Sequence, residues 1–214
     1  MRTPAAARAT FGNRDFACGR GPSRTLNRRH IAGRGLSLAA MDCKDLVIDD
    51  LARVDEDLRR ALDGLSAEQL TFRPAEHSNS IAWLAWHLTR VEDDHVSELA
   101  GRPQAWIEEK WHERFGKRAD SSDTGFGYSP EQVAAIRPES AQVLLDYYAA
   151  VHRRSLEYLH GVTCEAMDRV IDTRWDPPVT VGVRLVSVVN DCTQHVGQVA
   201  YVRGLIENRK WFPW

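Results

Sequence analysis

From residue 44 onward, apolar residues recur at three- and four-residue steps along most of the chain. Leu46, Val47, Leu51, Val54, Leu58 and Leu62 form one such stripe and predict an amphipathic helix over about 44–63. Gly64 ends it, and Arg73-Pro74 blocks continuation past the short turn Ser66–Leu70. Ser78-Asn79-Ser80 caps a second helix that runs from Ile81 to about Leu99, with Gly101-Arg102-Pro103 as its stop. A third stripe, Val143, Leu144, Tyr147, Val151, Leu156 and Leu159, predicts a helix over about 139–160, closed by Gly161. Asp176-Pro177-Pro178 breaks the chain again, and Thr180 caps a fourth helix over about 181–208.

Between the second and third helices lies a long connection, residues 101–137. It carries a short helix around Ala105–Phe115 and a helix start at Ser129-Pro130-Glu131. Its aromatic residues, Trp106, Trp111, Phe115, Phe126 and Tyr128, suit either covering a pocket or packing over a bundle end. A turn near Cys164–Asp168 leads into Arg169–Trp175, which reads as extended. Four long helices and one long crossover imply an all-α fold, a four-helix bundle. The chain has neither a strand-like alternation nor a glycine-rich phosphate loop, which argues against a Rossmann fold.

Composition divides the chain in two. Residues 1–40 hold eight Arg and one Asp with no sustained periodicity. Such a segment buries too little apolar surface to offset its ordering entropy. It reads as a disordered extension, either a transit or regulatory tail or the product of a start assigned upstream of Met41. Residues 41–214 form the folded domain and carry a net charge of −9. That acidity argues against nucleic-acid binding, and no apolar run is long enough for a transmembrane helix. The four cysteines, Cys18, Cys43, Cys164 and Cys192, include no CxxC pair. They suggest neither a disulfide framework nor a cysteine zinc site, and the expected location is the cytoplasm.

The chemistry concentrates on two helices. Asp191 and His195 lie four residues apart on one otherwise apolar face, which continues through Val188, Val199 and Val202. A buried acid and imidazole must find partners, and a divalent metal accepts both. A third ligand must come from a facing helix, and His87 is the candidate, set among Trp83, Leu84, Trp86 and Leu88 in the most apolar stretch of the chain. Taken singly, His87 reads more plainly as a core histidine and Asp191–His195 as a hydrogen-bonded pair. Together they point to a metal centre. His95 either extends that site or pairs with Asp94 or Glu92 on the solvent face. His152 and His160 read as surface residues, and His77 and His112 fall in or beside loops. Cys192 points about 100° away from Asp191 and reads as a small core residue. Arg184, two turns before Asp191 on the same face, suits either an anionic substrate or a solvated surface position.

At these residues the chain resembles the DinB-like superfamily of bacterial four-helix metalloproteins. The likeness covers roughly residues 42–208. It rests on Asn79-Ser80-Ile81-Ala82-Trp83-Leu84-Ala85-Trp86-His87-Leu88, on Trp175-Asp176-Pro177-Pro178-Val179-Thr180-Val181-Gly182-Val183-Arg184-Leu185-Val186, and above all on Asp191-x3-His195-x-Gly197-Gln198. The family pattern sets one His on helix two and His-x3-His on helix four. His87 matches the first and His195 the last, while Asp191 stands where the middle His usually stands. The related mycothiol-dependent maleylpyruvate isomerase has a carboxylate there, a Glu, and binds zinc.

The resemblance implies an up-down-down-up bundle, often a homodimer, and a divalent metal, Zn2+ or Ni2+, at His87, Asp191 and His195. It also implies thiol-S-transferase activity, with a low-molecular-weight thiol as co-substrate and an electrophilic small molecule as acceptor. Arginine outnumbers lysine 24 to 4, which fits a GC-rich actinobacterial host and hence mycothiol as the thiol. The competing expectations are a non-catalytic metal- or ligand-binding stress protein and a metal hydrolase. A hydrolase needs a carboxylate base beside the metal, and Glu92, about 140° round the helix from His87, is poorly placed for that.

Overall fold

The computed structural model describes residues 41–210. The expectation for residues 1–40 lies outside the described residues. Four long helices dominate: α1 Cys43–Leu62, α3 Ile81–Ala100, α7 Ala141–His160 and α9 Val181–Ile206. Each buries most of the stripe that its sequence presents, although Leu46 of α1 is 62% exposed. Helix α3 packs against α9 and α7, and α1 packs against the same two from the other side. The core between them holds Leu58, Leu62, Ile81, Leu84, Trp86, Leu88, Leu144, Tyr147, Val188 and Cys192, all at 1% exposure or less. No helix among the described residues is long and apolar enough to cross a membrane.

Local chemistry sets the helix ends. Asp42 and Asp45 form a reciprocal capping box at the start of α1. The hydroxyls of Ser80 and Thr180 accept from the backbone N–H groups of Trp83 and Val183. Gly101 closes α3 in the left-handed conformation, at φ 65°. The short elements are α2 Ala67–Thr71, α4 Ala105–Glu108, α5 Trp111–Arg114, α6 Pro130–Ala134 and α8 Cys164–Met167. The single short helix expected around Ala105–Phe115 is thus two. Lys110 between them takes φ 57°, which ends one turn and begins the next. The extended stretch after α8 is strand β1, Val170–Asp172, paired antiparallel with β2, Val179–Thr180, directly before α9.

A buried polar network fastens the crossover to the bundle. Asp93 accepts from the backbone N–H groups of Ala105 and Trp106, each at 2.8 Å, and from the Tyr147 hydroxyl at 2.9 Å. Arg90, fully buried, donates to Gln104 Oε1 at 2.8 Å and to the carbonyls of Ser121 at 2.9 Å and Asp123 at 3.0 Å. The aromatic residues of the crossover follow the packing expectation, except Phe126. Trp106, Phe115 and Tyr128 pack on Trp86 or Tyr147, while Phe126 is 90% exposed.

Two sequence expectations are corrected by tertiary contacts. Cys43 and Cys164, 121 residues apart, meet as a disulfide that ties the start of α1 to α8, with Cα atoms 5.8 Å apart. Sequence spacing carried no sign of it, because the helices alone bring the two ends together. His152 is not a surface residue. Its ring is 13% exposed and stacks on Tyr148, with Nδ1 3.8 Å from the fully buried Glu92 carboxylate.

Burial pulls the His152 pKa down, but Glu92 outweighs it and holds the imidazolium above its ordinary range. A raised folded-state pKa stabilises the protein below the unfolded value, and that contribution fades as pH rises through the folded one. The stability advantage of the wild type over His152→Gln is therefore expected to be largest near pH 6 and to shrink toward pH 9 in urea unfolding. A pH-independent difference would show that the pair contributes nothing.

Candidate metal centre

His87 sits two turns into α3, where the apolar run Ile81–Leu88 packs on α9. Its residue is 5% exposed. Asp191 and His195 occupy successive turns of α9 on the facing side, with side chains 30% and 16% exposed. Ligand atoms of the three side chains all lie within 4.8 Å of one another. The two imidazole rings stand 4.9 Å apart, edge to face, and His195 Nε2 is 3.6 Å from Asp191 Oδ1.

Hydrogen bonds on the outer side fix both rings. His87 Nδ1 lies 2.6 Å from the Thr124 carbonyl oxygen. A carbonyl only accepts, so Nδ1 carries the proton and Nε2 presents its lone pair. His195 Nδ1 lies 2.9 Å from Gln198 Oε1, which selects the same tautomer. Burial lowers the His87 pKa, and the Thr124 carbonyl and Asp191, which pull it up, do not cancel that effect. His87 is therefore neutral at physiological pH, the form in which imidazole ligates a metal. Asp191 Oδ2 is buried with no hydrogen-bond partner. Buried carboxylate oxygens are seldom left so. This orphaned oxygen and the two inward lone pairs make a donor set that fits a divalent cation.

Trp83 forms the floor of the site. Its ring stacks on His87 with centroids 4.5 Å apart and meets His195 edge-on at 5.9 Å. Gly125 lets the crossover pass directly above. A Cβ there would lie 2.6 Å from Trp86 Cζ3, 3.2 Å from Trp83 Nε1 and 3.4 Å from His87 Nδ1.

Three features of this centre were not read from the sequence. The Thr124 carbonyl is a backbone group 37 residues from its partner, so no side-chain pattern marks it. Arg90 and Asp93, which hold the crossover in place, were not singled out in the sequence. Their signal is position, since both fall on the face of α3 shared with the core. Gln198 was visible as the Gly-Gln step, and the structure supplies its contact.

Other candidates lie apart. The His95 ring is 27% exposed, with Nδ1 3.6 Å from Asp94 Oδ2, as one expectation had it, and 3.0 Å from Arg184 Nη1. Glu92, its other expected partner, lies in the core with His152 instead. Cys192 is fully buried.

A bundle of long helices with two imidazoles and one carboxylate converging between α3 and α9 defines a DinB-like helical protein. Within that class the chain belongs to the mycothiol-S-transferase family, whose pattern it matches over residues 47–208. A solved structure described as a conserved protein from Enterococcus faecalis is 32% identical to it, with a TM-score of 0.74. That match covers 79% of this chain and 100% of the other. Among curated proteins, none matches.

Proposed function

We propose that this protein is a metal-dependent thiol-S-transferase that joins mycothiol to electrophilic small molecules, with His87, Asp191 and His195 as the metal ligands. The observation that carries the reading is the pair of imidazoles held with Nε2 inward beside the orphaned Asp191 carboxylate oxygen. These three side chains would hold a divalent cation, Zn2+ in the first instance, which would supply a deprotonated thiol at neutral pH. The Thr124 carbonyl and Gln198 orient the rings, and outer hydrogen bonds of this kind raise ligand basicity. Trp83 and the crossover at Gly125 shield one side of the site from water. In the overall reaction the thiol sulfur bonds to the electrophilic carbon. The leaving group departs with its bonding pair, and the thiol proton passes to solvent.

Asp191 is the discriminating residue. Asp191→Asn keeps the shape and removes the charge, so zinc affinity is expected to fall about 10-fold or more. Asp191→His provides a third imidazole and is expected to retain zinc. Zinc stoichiometry of the folded proteins at equal pH, with circular dichroism to monitor folding, decides the ligand set. Equal stoichiometry in all three proteins would remove Asp191 from it. Consumption of mycothiol with a generic alkylating electrophile then tests catalysis, and a zinc-loaded wild type without turnover would leave a binding protein.

A further inference from the structure

A cleft of about 640 Å³ opens beside the second half of α3 and the crossover, with Arg184 of α9 at its wall. It is lined by His95, Gln104, Arg102, Arg174 and Arg184, among others. Arg184 lies seven residues before Asp191, on nearly the same face of α9 and about 10 Å along its axis.

Arg184 differs from its neighbours in how its charge is met. Arg174 is matched by Asp172, with Nε and Nη2 at 2.9 and 2.8 Å from the two carboxylate oxygens. Arg102 bonds Glu157 at 3.1 Å. Asp94 accepts from Gln104 at 2.6 Å. Arg184, only 16% exposed, has its nearest carboxylate oxygen at 3.9 Å, on the Asp172 that Arg174 already holds. Its Nε is buried with no hydrogen-bond partner. Its close contact is the imidazole of His95, whose pKa burial lowers first and Arg184 lowers further. A neutral imidazole does not balance a guanidinium. Glu98 also lines the cleft, but on its exposed side. A largely buried guanidinium at the wall of a cleft, with no carboxylate oxygen nearer than 3.9 Å, suits a planar anion, a carboxylate above all.

We propose that Arg184 receives the carboxylate of an acidic electrophile, so that the enzyme prefers acceptors carrying a carboxylate about 10 Å from the carbon that takes the thiol. The electrophile part of this inference rests on the transferase reading above, whereas the carboxylate site itself does not.

Two measurements separate them. In the first, zinc-loaded protein and mycothiol are given ω-bromoalkanoates from bromoacetate to 8-bromooctanoate, beside the matching amides. The carboxylate-to-amide ratio of kcat/KM is expected to rise with chain length. Arg184→Gln is expected to cut that ratio at least tenfold for 8-bromooctanoate, and Arg184→Lys to retain part of it. In the second, metal-free wild type, Arg184→Gln and Arg184→Lys are titrated calorimetrically with octanoate and octanamide, after thermal unfolding has verified the fold of each. Octanoate binding that falls at least tenfold in Arg184→Gln, is partly kept in Arg184→Lys and is not matched by octanamide supports the site, whether or not any electrophile turns over. Octanoate binding equal in wild type and Arg184→Gln, or equal binding of the amide, overturns it. A flat carboxylate-to-amide ratio in an active enzyme overturns the substrate preference.

Discussion

Asp93→Ala is expected to lower the melting temperature by roughly 10 °C or more. Asp93 is 2% exposed and takes five donors: two backbone N–H groups at the start of α4, the Tyr147 hydroxyl, Ser97 and Arg90. Its removal leaves the fully buried Arg90 guanidinium without its carboxylate, and breaking a buried pair from one side costs about 3–5 kcal/mol. The damage extends to the metal centre. Arg90 holds the carbonyls of Ser121 and Asp123, and Thr124, the next residue, holds His87. Replacing both partners at once, as in Arg90→Met with Asp93→Leu, removes the stranded charge and is expected to recover part of the loss. Differential scanning calorimetry of the three proteins measures both effects. An unchanged melting temperature in Asp93→Ala would show that the network contributes little.

Gly125→Ala is expected to weaken zinc binding about 10- to 100-fold, the range seen when support around a metal ligand is lost. Two independent penalties act there. Gly125 has φ +88°, a conformation that costs a residue with a Cβ about 1–2 kcal/mol. The new Cβ would also overlap Trp86 at 2.6 Å, and overpacking a core typically costs about 1–3 kcal/mol. The crossover can relieve the overlap only by lifting away, which takes the Thr124 carbonyl from His87 Nδ1. Gly127→Ala separates the two terms. It shares the positive φ, at +73°, but nothing lies within 4 Å of its Cβ. That variant is expected to lose about 1 kcal/mol of stability and to keep its zinc affinity. Equal zinc affinity in Gly125→Ala and the wild type would remove the crossover from any role at the site.

What the sequence by itself determined are the features with a period or a fixed offset. The stripes of α1, α3, α7 and α9 were legible because a helix repeats every 3.6 residues, so one buried face imposes a pattern that no other element shares. Ser80 and Thr180 marked helix starts because a cap acts on its own next turn. Asp191 and His195 were legible as a pair because four residues make one helical turn, whatever surrounds it.

Tertiary structure alone decided what depends on two distant segments meeting. It set the depth at which α3 lies against α9, and hence whether His87 faces Asp191 or the core. It brought the Thr124 carbonyl onto His87 and required a glycine at 125. It turned Glu92 and His152, read as solvent-face residues, into buried partners, and paired Arg90 with Asp93 in the core. It joined Cys43 to Cys164 across 121 residues and left Arg184 short of a carboxylate at the wall of a cleft. The physical reason is the same in each case. Propensity and capping act within a turn or two of chain, whereas burial, hydrogen-bond satisfaction and charge compensation depend on which helix faces arrive opposite one another.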